Sequence, residues 1–478
     1  MRSVSAALLA CLALGACAHV RTPDLRLPEA YEAPHKASGG GAPAGAVELD
    51  RWWLAFDDAE LTGLIDQALA ANPDARSAAA RLTEARANRA EALFHFLPQG
   101  DITASTRQTD TRQLAGTVFN FPGASSSGVS DATAANFNVS WEVDIFGRLL
   151  AARKAVNGDL AAARFDYEGA RASLAASVAD AFFQARGLAI QLADAVETAR
   201  IERELYDSAT KRAAAGIAPT SDADRVAGDL AQADALAAGL EAELQAQRRT
   251  ILILAGRIIE PTANIAVDAS VGILPPIPET LPSELLKRRP DVREAEARVA
   301  AQTGRSDADI LAFLPTLNFT PGIGWQKQSQ PGFSVTAQSL VTGGTFIQPV
   351  LSIPKLLAEL KAQNARTEQA VIAYEKAVQT AFSESEGALA RLEADRRRVV
   401  LLTEGEARAA RGYRASKIGY DRGLTDLQTA LGAEQSWRTT RSELTAAQVQ
   451  ALRRTVQAYK ALGGGWPAER FPTQAQAR

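Results

Sequence analysis

An internal duplication constrains this sequence more than any other feature. Residues 72–103 align without a gap with residues 289–320, and ten of the paired positions are identical. Further matches follow in the same order, with Val178, Ala181 and Phe182 opposite Val378, Ala381 and Phe382, and with Tyr206 and Gly216 opposite Tyr413 and Gly423. Self-similarity that keeps its order indicates one structural unit used twice. We therefore expect two copies of the same arrangement of helices and strands.

Both copies show the same succession of patterns. Residues 60–95 and 283–313 carry helical patterns rich in alanine, leucine and arginine. A two-residue period follows, in which apolar and polar side chains alternate over residues 137–145 and again over residues 317–326. Pro321 predicts an edge, a bulge or a strand start. Weaker strand patterns near 101–109 and 333–341, with hairpin loops near 124–130 and 328–331, complete a strand pair in each copy.

Two long stretches without proline predict unusually long helices. Residues 148–218 and 355–466 contain no proline and are rich in strong helix formers. From Val156 to Ala199 one apolar stripe recurs about every 3.6 residues, so it hardly drifts around a straight helix. Seventy such residues would span about 105 Å. An ordinary coiled coil is one interpretation, and the many alanines of the stripe suit a wall of closely packed helices.

The amphipathic strands limit what one chain can do beside a membrane. In hydrocarbon every backbone N–H and C=O must be paired within the protein, so an open sheet of about four strands cannot span a bilayer alone. Two chains would give eight strands, whose interior side chains fill, whereas three would give twelve and leave a lumen. A homotrimer is therefore the smallest channel that this pattern allows.

The first residues predict export and a lipid anchor. Residues 1–16 combine a positive start, a short apolar run and small residues before Cys17, as in a lipoprotein signal peptide. We expect the mature chain to begin at Cys17 and to carry a covalent lipid there, with multiple acylation making the anchor stable. Alanine rather than an acidic residue after Cys17 predicts delivery to the outer membrane. An ordinary cleaved leader is the alternative.

Composition excludes several other classes of protein. The 52 basic and 55 acidic residues give no positive field for nucleic acid. The only two cysteines are Cys11 and Cys17, so no disulfide is expected in the mature chain. The three histidines lack metal-ligand spacing, and no catalytic residue, metal site or cofactor is predicted apart from the lipid on Cys17.

These boundaries divide the chain into six parts. We expect a signal peptide over 1–16 and a lipid-anchored linker over 17–50. The first structural repeat covers 51–260, a proline-rich crossover covers 261–282, and the second repeat covers 283–462. Residues 463–478 are predicted to be a C-terminal tail.

Several short motifs resemble a known family. They are Trp52-Trp53 with Phe56, Asn72-Pro73, the string from Trp141 to Arg148 (Trp-Glu-Val-Asp-Ile-Phe-Gly-Arg), Arg289-Pro290-Asp291-Val292, Phe313-Leu314-Pro315 and Gly463-Gly464-Gly465-Trp466. Over essentially its full length the chain resembles the NodT-type lipoprotein branch of the TolC-like outer-membrane efflux factors. The Trp-Glu-x-Asp-x-Phe-Gly and Arg-Pro-Asp-Val strings are specific when they occur together.

The resemblance implies a mixed α+β fold, mostly α. A homotrimer would form a twelve-stranded transmembrane β-barrel in the outer membrane, with four strands from each protomer, continuous with a long α-helical barrel in the periplasm. It would be the exit duct of a tripartite efflux pump and would conduct small toxic compounds or drugs passively. The implied partners are a periplasmic adaptor and an inner-membrane transporter of the resistance-nodulation-division type.

Two turns are the predicted docking sites and gate. Glycine at Gly216 and Gly423 ends a helix, and Ser, Thr or Asp caps the next one, with Asp222 and Asp426 as the acidic residues. The resemblance makes these turns the adaptor-docking tips and the periplasmic aperture. Family members often carry an aspartate at the position of Gly432, so Asp426 or Glu434 is expected to substitute.

The aromatic residues Trp141, Phe146 and Trp325 are candidates for the membrane interface, where aromatic belts lie. Packing at the junction between sheet and helices is an equal alternative for Trp141 and Phe146.

Three rival functions remain open at this point. A channel for protein secretion of type I would share the fold and differ in cargo. A structural coiled-coil lipoprotein would not need the amphipathic strands. A lipid-tethered enzyme would need carboxylate pairs, because histidines and cysteines are nearly absent.

Overall fold

The computed structural model describes residues 27–28, 30–32, 49–112, 114, 128–278, 282–330 and 332–466, without the side chains of Leu285 and Leu286. The predicted signal peptide, Cys17 and most of the predicted linker lie outside these residues. So do residues 467–478 and most of the predicted hairpin loop at 124–130.

Eight α-helices account for most of the described chain. In order they are α1 (Ala59–Ala71), α2 (Pro73–Phe94), α3 (Arg148–Ala214), α4 (Thr220–Leu254), α5 (Leu285–Arg288), α6 (Pro290–Leu311), α7 (Ile353–Asp421) and α8 (Leu427–Ala461). Short 3-10 segments occupy Leu49–Phe56, Thr262–Asn264 and Pro282–Glu284. Helices α2 and α6 both have 22 residues and α4 and α8 both have 35, as expected for a duplicated unit. Among these described helices, none combines the length and the apolar character that a membrane span needs.

Six strand segments of the described residues form one antiparallel sheet. They are β1 (Gln99–Thr111), β2 (Gly128–Val143), β3 (Thr316–Phe319), β4 (Gly322–Gln330), β5 (Phe333–Val341) and β6 (Gly344–Ile347). β2 pairs with β1 along one edge and with β3 and β4 along the other, while β5 pairs with β4 and β6 with β3.

The six segments amount to four strands. The register with β2 is the same on both sides of the gap between β3 and β4, because Trp141 lies opposite Phe319 and Phe137 lies opposite Ile323. Pro321 occupies the gap, where it has no N–H to donate, but its carbonyl still accepts from the Val139 N–H at 2.9 Å. β5 and β6 are likewise two parts of one strand, because Leu340 opposite Ile323 and Phe346 opposite Leu317 keep one register. Of the alternatives predicted for Pro321, the strand start is confirmed, because β4 begins at Gly322. The edge is wrong, because this strand lies between β2 and the strand made of β5 and β6.

The chain forms two compact units, and each takes segments from both predicted repeats. The first contains the described parts of 83–162 and 295–374, including the whole sheet. The second contains the described parts of 24–82, 163–294 and 375–478. The repeats are therefore not separate compact domains, because strand β2 of the first pairs directly with β3 and β4 of the second.

An aromatic core fills the second unit. Trp52 is fully buried and stacks on Tyr459 of α8, with ring centroids 5.7 Å apart, while Phe56 lies 4.9 Å from Phe183 of α3. These side chains join buried leucine, isoleucine and alanine residues of α1, α3, α4 and α8. The predicted boundary at residue 51 is thus too late, because Leu49 and Asp50 already belong to the 3-10 segment Leu49–Phe56.

The predicted tail also begins too early. Gly463, Gly464 and Gly465 bring the chain against the core, and the Gly465 N–H donates to the Leu49 carbonyl at 2.8 Å. A Cβ on Gly464 would lie 2.9 Å from the Trp52 side chain, so only glycine fits there. Trp466 is almost fully buried and its Nε1–H donates to the Arg288 carbonyl at 2.8 Å. Residues 463–466 therefore belong to the packed second unit.

Candidate functional site

One face of the sheet carries an apolar band. Directly paired residues share a face, so the register builds a row from Ile102, Phe137, Ile323 and Leu340 across all four strands. Neighbouring rows on the same face add Trp325, Val139, Trp141 with Phe319, and Val143 with Leu317 and Phe346. The side chains of Ile102 and Leu340 are 78% and 79% exposed in the single chain. Such exposed apolar rows require another apolar surface or lipid to cover them.

Next to the apolar band, the opposite face carries polar side chains on β2 and β4. Asn138, Asn136 and Gln326 alternate with the apolar rows along β2 and β4. Gly324 lies between Asn136 and Ser339, whose side-chain oxygens would be 2.5 Å and 2.8 Å from a Cβ at that position. The sheet can therefore present water-compatible groups on one side and hydrocarbon-compatible groups on the other.

Both lateral edges of the sheet are open. Among the described residues, β1 has only β2 as a neighbour, and the strand made of β5 and β6 has only the strand made of β3 and β4. The outward backbone groups of these edge strands have no partner strand in the chain as described. Open edges are templates for pairing with another chain.

The three predicted interface aromatics lie in the first unit near the apolar band. Trp325 and Trp141 are on the same face, with the rows of Phe137 and Val139 between them. The two tryptophans are therefore about 20 Å apart along the strand direction. Phe146 follows in the turn after β2 and is 42% exposed. Both tryptophans are also more than one-third exposed, so these side chains are available to a surrounding medium.

The string from Trp141 to Arg148 makes the turn from strand to long helix. The Asp144 carboxylate accepts hydrogen bonds at 2.8 Å from the backbone N–H groups of Gly147, Arg148 and Leu149. Gly147 has a φ of +86°, a conformation that favours glycine. Glu142 and Arg148 form an ion pair at 3.2 Å across the turn. The motif thus makes the turn that ends β2 and begins α3.

The two predicted turns share one geometry. Gly216 and Gly423 have φ angles of +68° and +73°, and the residue after each glycine donates its N–H back into the preceding helix, from Ile217 to the Arg212 carbonyl and from Leu424 to the Gly419 carbonyl. The Arg212 guanidinium lies 4.8 Å over the Tyr420 ring, so the two turns are side by side.

Each turn presents one exposed aliphatic residue at its tip, and the two turns differ in their caps. Ile217 is 74% exposed and Leu424 is 78% exposed. Asp426 caps α8 as predicted, accepting from the Thr429 N–H at 2.7 Å, and this hydrogen bond lowers the pKa of its carboxyl. The predicted side-chain cap at the first turn is wrong, because Pro219 occupies the cap position of α4 and Asp222 follows inside the first helical turn.

Glu434 does not lie where an aperture residue must lie. Its side chain is fully buried within the second unit, next to Arg438 and the equally buried Glu202 of α3. A carboxylate enclosed by its own protomer cannot line an opening, so the prediction for Glu434 is corrected. Gly432, at the position where the family often has aspartate, is exposed and has no neighbour within 4 Å of a Cβ.

Sequence reasoning missed the partners of Glu434. Arg438 donates from Nη2 to Glu202 Oε1 at 3.3 Å and lies 3.7 Å from Glu434 Oε1 through Nε. The i,i+4 spacing of Glu434 and Arg438 on one helix was the only available signal. Nothing in the sequence indicates that Glu202 of another helix meets them.

Comparisons with known proteins agree with this architecture. The sequence model of the family described as "Outer membrane efflux protein" matches residues 64–257 and 281–464. The pyoverdine export outer membrane protein OpmQ of Pseudomonas aeruginosa is 29% identical over 477 residues, covering 96% of both chains. The probable efflux pump outer membrane protein TtgC of Pseudomonas putida is 27% identical, covering 97% of this chain and 96% of TtgC.

Solved structures show the same fold. The outer-membrane channel OprN superposes with a TM-score of 0.80 and 28% identity, covering 94% of this chain and 98% of OprN. The CmeC outer membrane channel of Campylobacter jejuni also gives a TM-score of 0.80, at 22% identity, with 94% and 96% covered. The chain is therefore an outer-membrane protein and belongs to the outer membrane efflux protein family.

Proposed function

We propose that three copies of this chain form the outer-membrane exit duct of a tripartite efflux pump. The observation that carries the proposal is the four-stranded sheet with two open edges, one apolar face and one polar face. Because hydrocarbon tolerates no unpaired backbone groups, such a sheet can span the membrane only when other copies close it. Three copies supply twelve strands and leave a water-filled lumen.

The orientation of each face follows from this closure. The band of Ile102, Phe137, Ile323 and Leu340 would face lipid, and Asn136 and Asn138 would face the lumen. Trp141, Phe146 and Trp325 would lie at the membrane interfaces, as aromatic side chains of membrane proteins do.

A covalent lipid on Cys17 would add a second attachment to the same membrane. Residues 1–16 have the composition of a lipoprotein signal, and the thiol of Cys17 is the acceptor such a signal provides. The lipid would hold the N-terminal linker at the membrane surface while the sheet spans it.

Small compounds are the proposed cargo. The relatives described above are named for pyoverdine export and for an efflux pump, and the Pseudomonas putida protein ArpC, 27% identical over 97% of this chain, is named as part of an antibiotic efflux pump. The duct would do no chemistry, since conduction needs only a hydrated path and a gate. An inner-membrane transporter of the resistance-nodulation-division type would supply the energy.

The two turns are the proposed contact with a periplasmic adaptor. Their exposed tips, Ile217 and Leu424, offer apolar contacts beside the capped end of α8, and the turns at Gly216 and Gly423 lie next to each other. Asp222 and Asp426 would add acidic groups to this surface. Asp426 is the remaining acidic candidate at the aperture.

Planar lipid bilayers test the duct directly. The purified full-length protein should produce stepwise conductance, and Asn136→Lys, on the polar face, should shift the reversal potential in a salt gradient toward anion selectivity. Thr133→Lys, on the opposite face of the same strand, is the matched control and should leave selectivity unchanged. Silent bilayers, or equal selectivity shifts from both variants, would refute the proposal.

A further inference from the structure

Two carboxylates are enclosed between the long helices of the second unit. Glu202 of α3 and Glu434 of α8 both have no exposed surface. One cation, Arg438, serves both, at 3.3 Å from Glu202 Oε1 and 3.7 Å from Glu434 Oε1. Two buried negative charges with a single positive charge leave an uncompensated charge in a medium of low polarity.

The hydrogen bonds are also too few for two ionised carboxylates. Within the described residues, Glu202 Oε2 and both oxygens of Glu434 accept no hydrogen bond. An ionised buried carboxylate normally has several donors, because an unsatisfied charged oxygen is costly. A proton on one of the two carboxyls removes the excess charge.

The other charged groups that face the cluster in the described part of the chain do not restore neutrality. Asp229 of α4 adds negative potential at both carboxyls, and Lys417 of α7 adds positive potential at Glu434 only. Tyr413 of α7 also faces the pair, and burial raises the pKa of its phenol to about 12, so it is neutral at physiological pH. Asp421 of α7 contributes further negative potential at Tyr413.

The duplicated half of the chain has no counterpart of this cluster. Aligning the two turns on Gly216 and Gly423 places Ala409 opposite Glu202, Ala227 opposite Glu434 and Ala231 opposite Arg438. Alanines therefore occupy the equivalent positions in the other hairpin. The charged cluster is therefore present in only one of the two hairpins.

We propose that Glu202, Glu434 and Arg438 form a proton-controlled latch that holds α8 against α3 while one carboxyl is protonated and loosens when both are ionised. The latch itself follows from the buried cluster. The effect of the latch on channel gating rests on the proposed function. Loosening α8 from α3 would free the helical hairpin of α7 and α8, whose turn contains Gly423.

The sign of the pH dependence follows from burial. Burial, with the neighbouring Glu434 charge second, raises the pKa of Glu202 from 4.5 to about 7, and burial also raises the pKa of Glu434. The packed state therefore binds protons more tightly than the opened state does. The extra stability of the packed state is fully present below the ordinary glutamate pKa of 4.5 and is lost as the pH rises to about 7. A single such group changes the opening equilibrium by up to about tenfold per pH unit within this window.

Hydrogen–deuterium exchange of the full-length protein in detergent measures this opening. After correction for the chemical exchange rate, protection of residues 196–210 and 428–440 should fall by up to about tenfold per pH unit between pH 5 and 7 and then level off. The double variant Glu202→Gln with Glu434→Gln keeps both side chains neutral, and its protection should not vary with pH.

Two further variants separate a latch from a purely structural cluster. Glu197→Gln removes an exposed ion pair with Arg200 on the same helix and should follow the wild type. Arg438→Gln removes the cation that favours ionisation, so its loss of protection should occur at higher pH. A wild-type protection independent of pH, or an unchanged midpoint in Arg438→Gln, would overturn the latch. Because exchange needs no conduction, these outcomes are separate from those of the bilayer test.

Discussion

Replacing Phe137 by lysine tests whether the apolar band faces lipid. Phe137 lies near the middle of the band, directly opposite Ile102 and Ile323 and between the rows of Trp325 and Trp141. A lysine on the lipid face near the bilayer centre costs about 2–4 kcal/mol in a membrane β-barrel. That cost corresponds to a decrease of about 30- to 900-fold in the folding equilibrium per chain, and all three chains of a trimer would carry it.

The neighbouring residue supplies a matched control. Asn138 is on the same strand but on the polar face, opposite Asp101 and Gly322. Asn138→Lys should cost less than about 1 kcal/mol, because its charge would point into water. Urea titration of folding into phospholipid vesicles measures both variants. If Asn138→Lys destabilises the protein as much as Phe137→Lys does, the assignment of the two faces is wrong.

Three further predictions concern the anchor and the two ends of the long helices. Cys17→Ser should abolish incorporation of labelled palmitate, and unchanged labelling would refute the lipid anchor. Gly423→Ala should destabilise its turn by about 1–2 kcal/mol because of the positive φ, whereas Gly432→Ala, inside α8 with open space around it, should stabilise α8 by about 0.5–1 kcal/mol. Local hydrogen exchange at the turn and in α8 measures the stability change in each variant. Equal changes in Gly423→Ala and Gly432→Ala would contradict the turn geometry. Asp144→Ala should lower thermal stability by about 1–2 kcal/mol through loss of the cap on α3, and an unchanged melting temperature would count against that role.

The periodic elements of the fold were predictable from the sequence. Alternation over residues 137–145 identified the second half of β2, which spans Gly128–Val143. The break at Pro321 follows from its missing N–H. The long helices followed from the absence of proline, and their ends from Gly216 and Gly423, which adopt the positive φ expected. Each of these features depends on neighbours in the sequence, so no tertiary information was needed.

Features that depend on contacts between distant segments were not predictable. Glu434 has the charge of an aperture residue, but its burial depends on how α8 is rotated against α3, which composition does not specify. Residues 463–478 were predicted to be a C-terminal tail, yet the close approach of Gly464 to Trp52 and Leu49 requires glycine at that position. The cap of α4 is Pro219 rather than a nearby polar residue.

Native mass spectrometry of the full-length protein in mild detergent tests the central claim most directly, because the described part of one chain leaves both edges of its sheet open. Closure of that sheet around a lumen predicts a complex of three chains. A complex that contains only one or two chains would contradict the account.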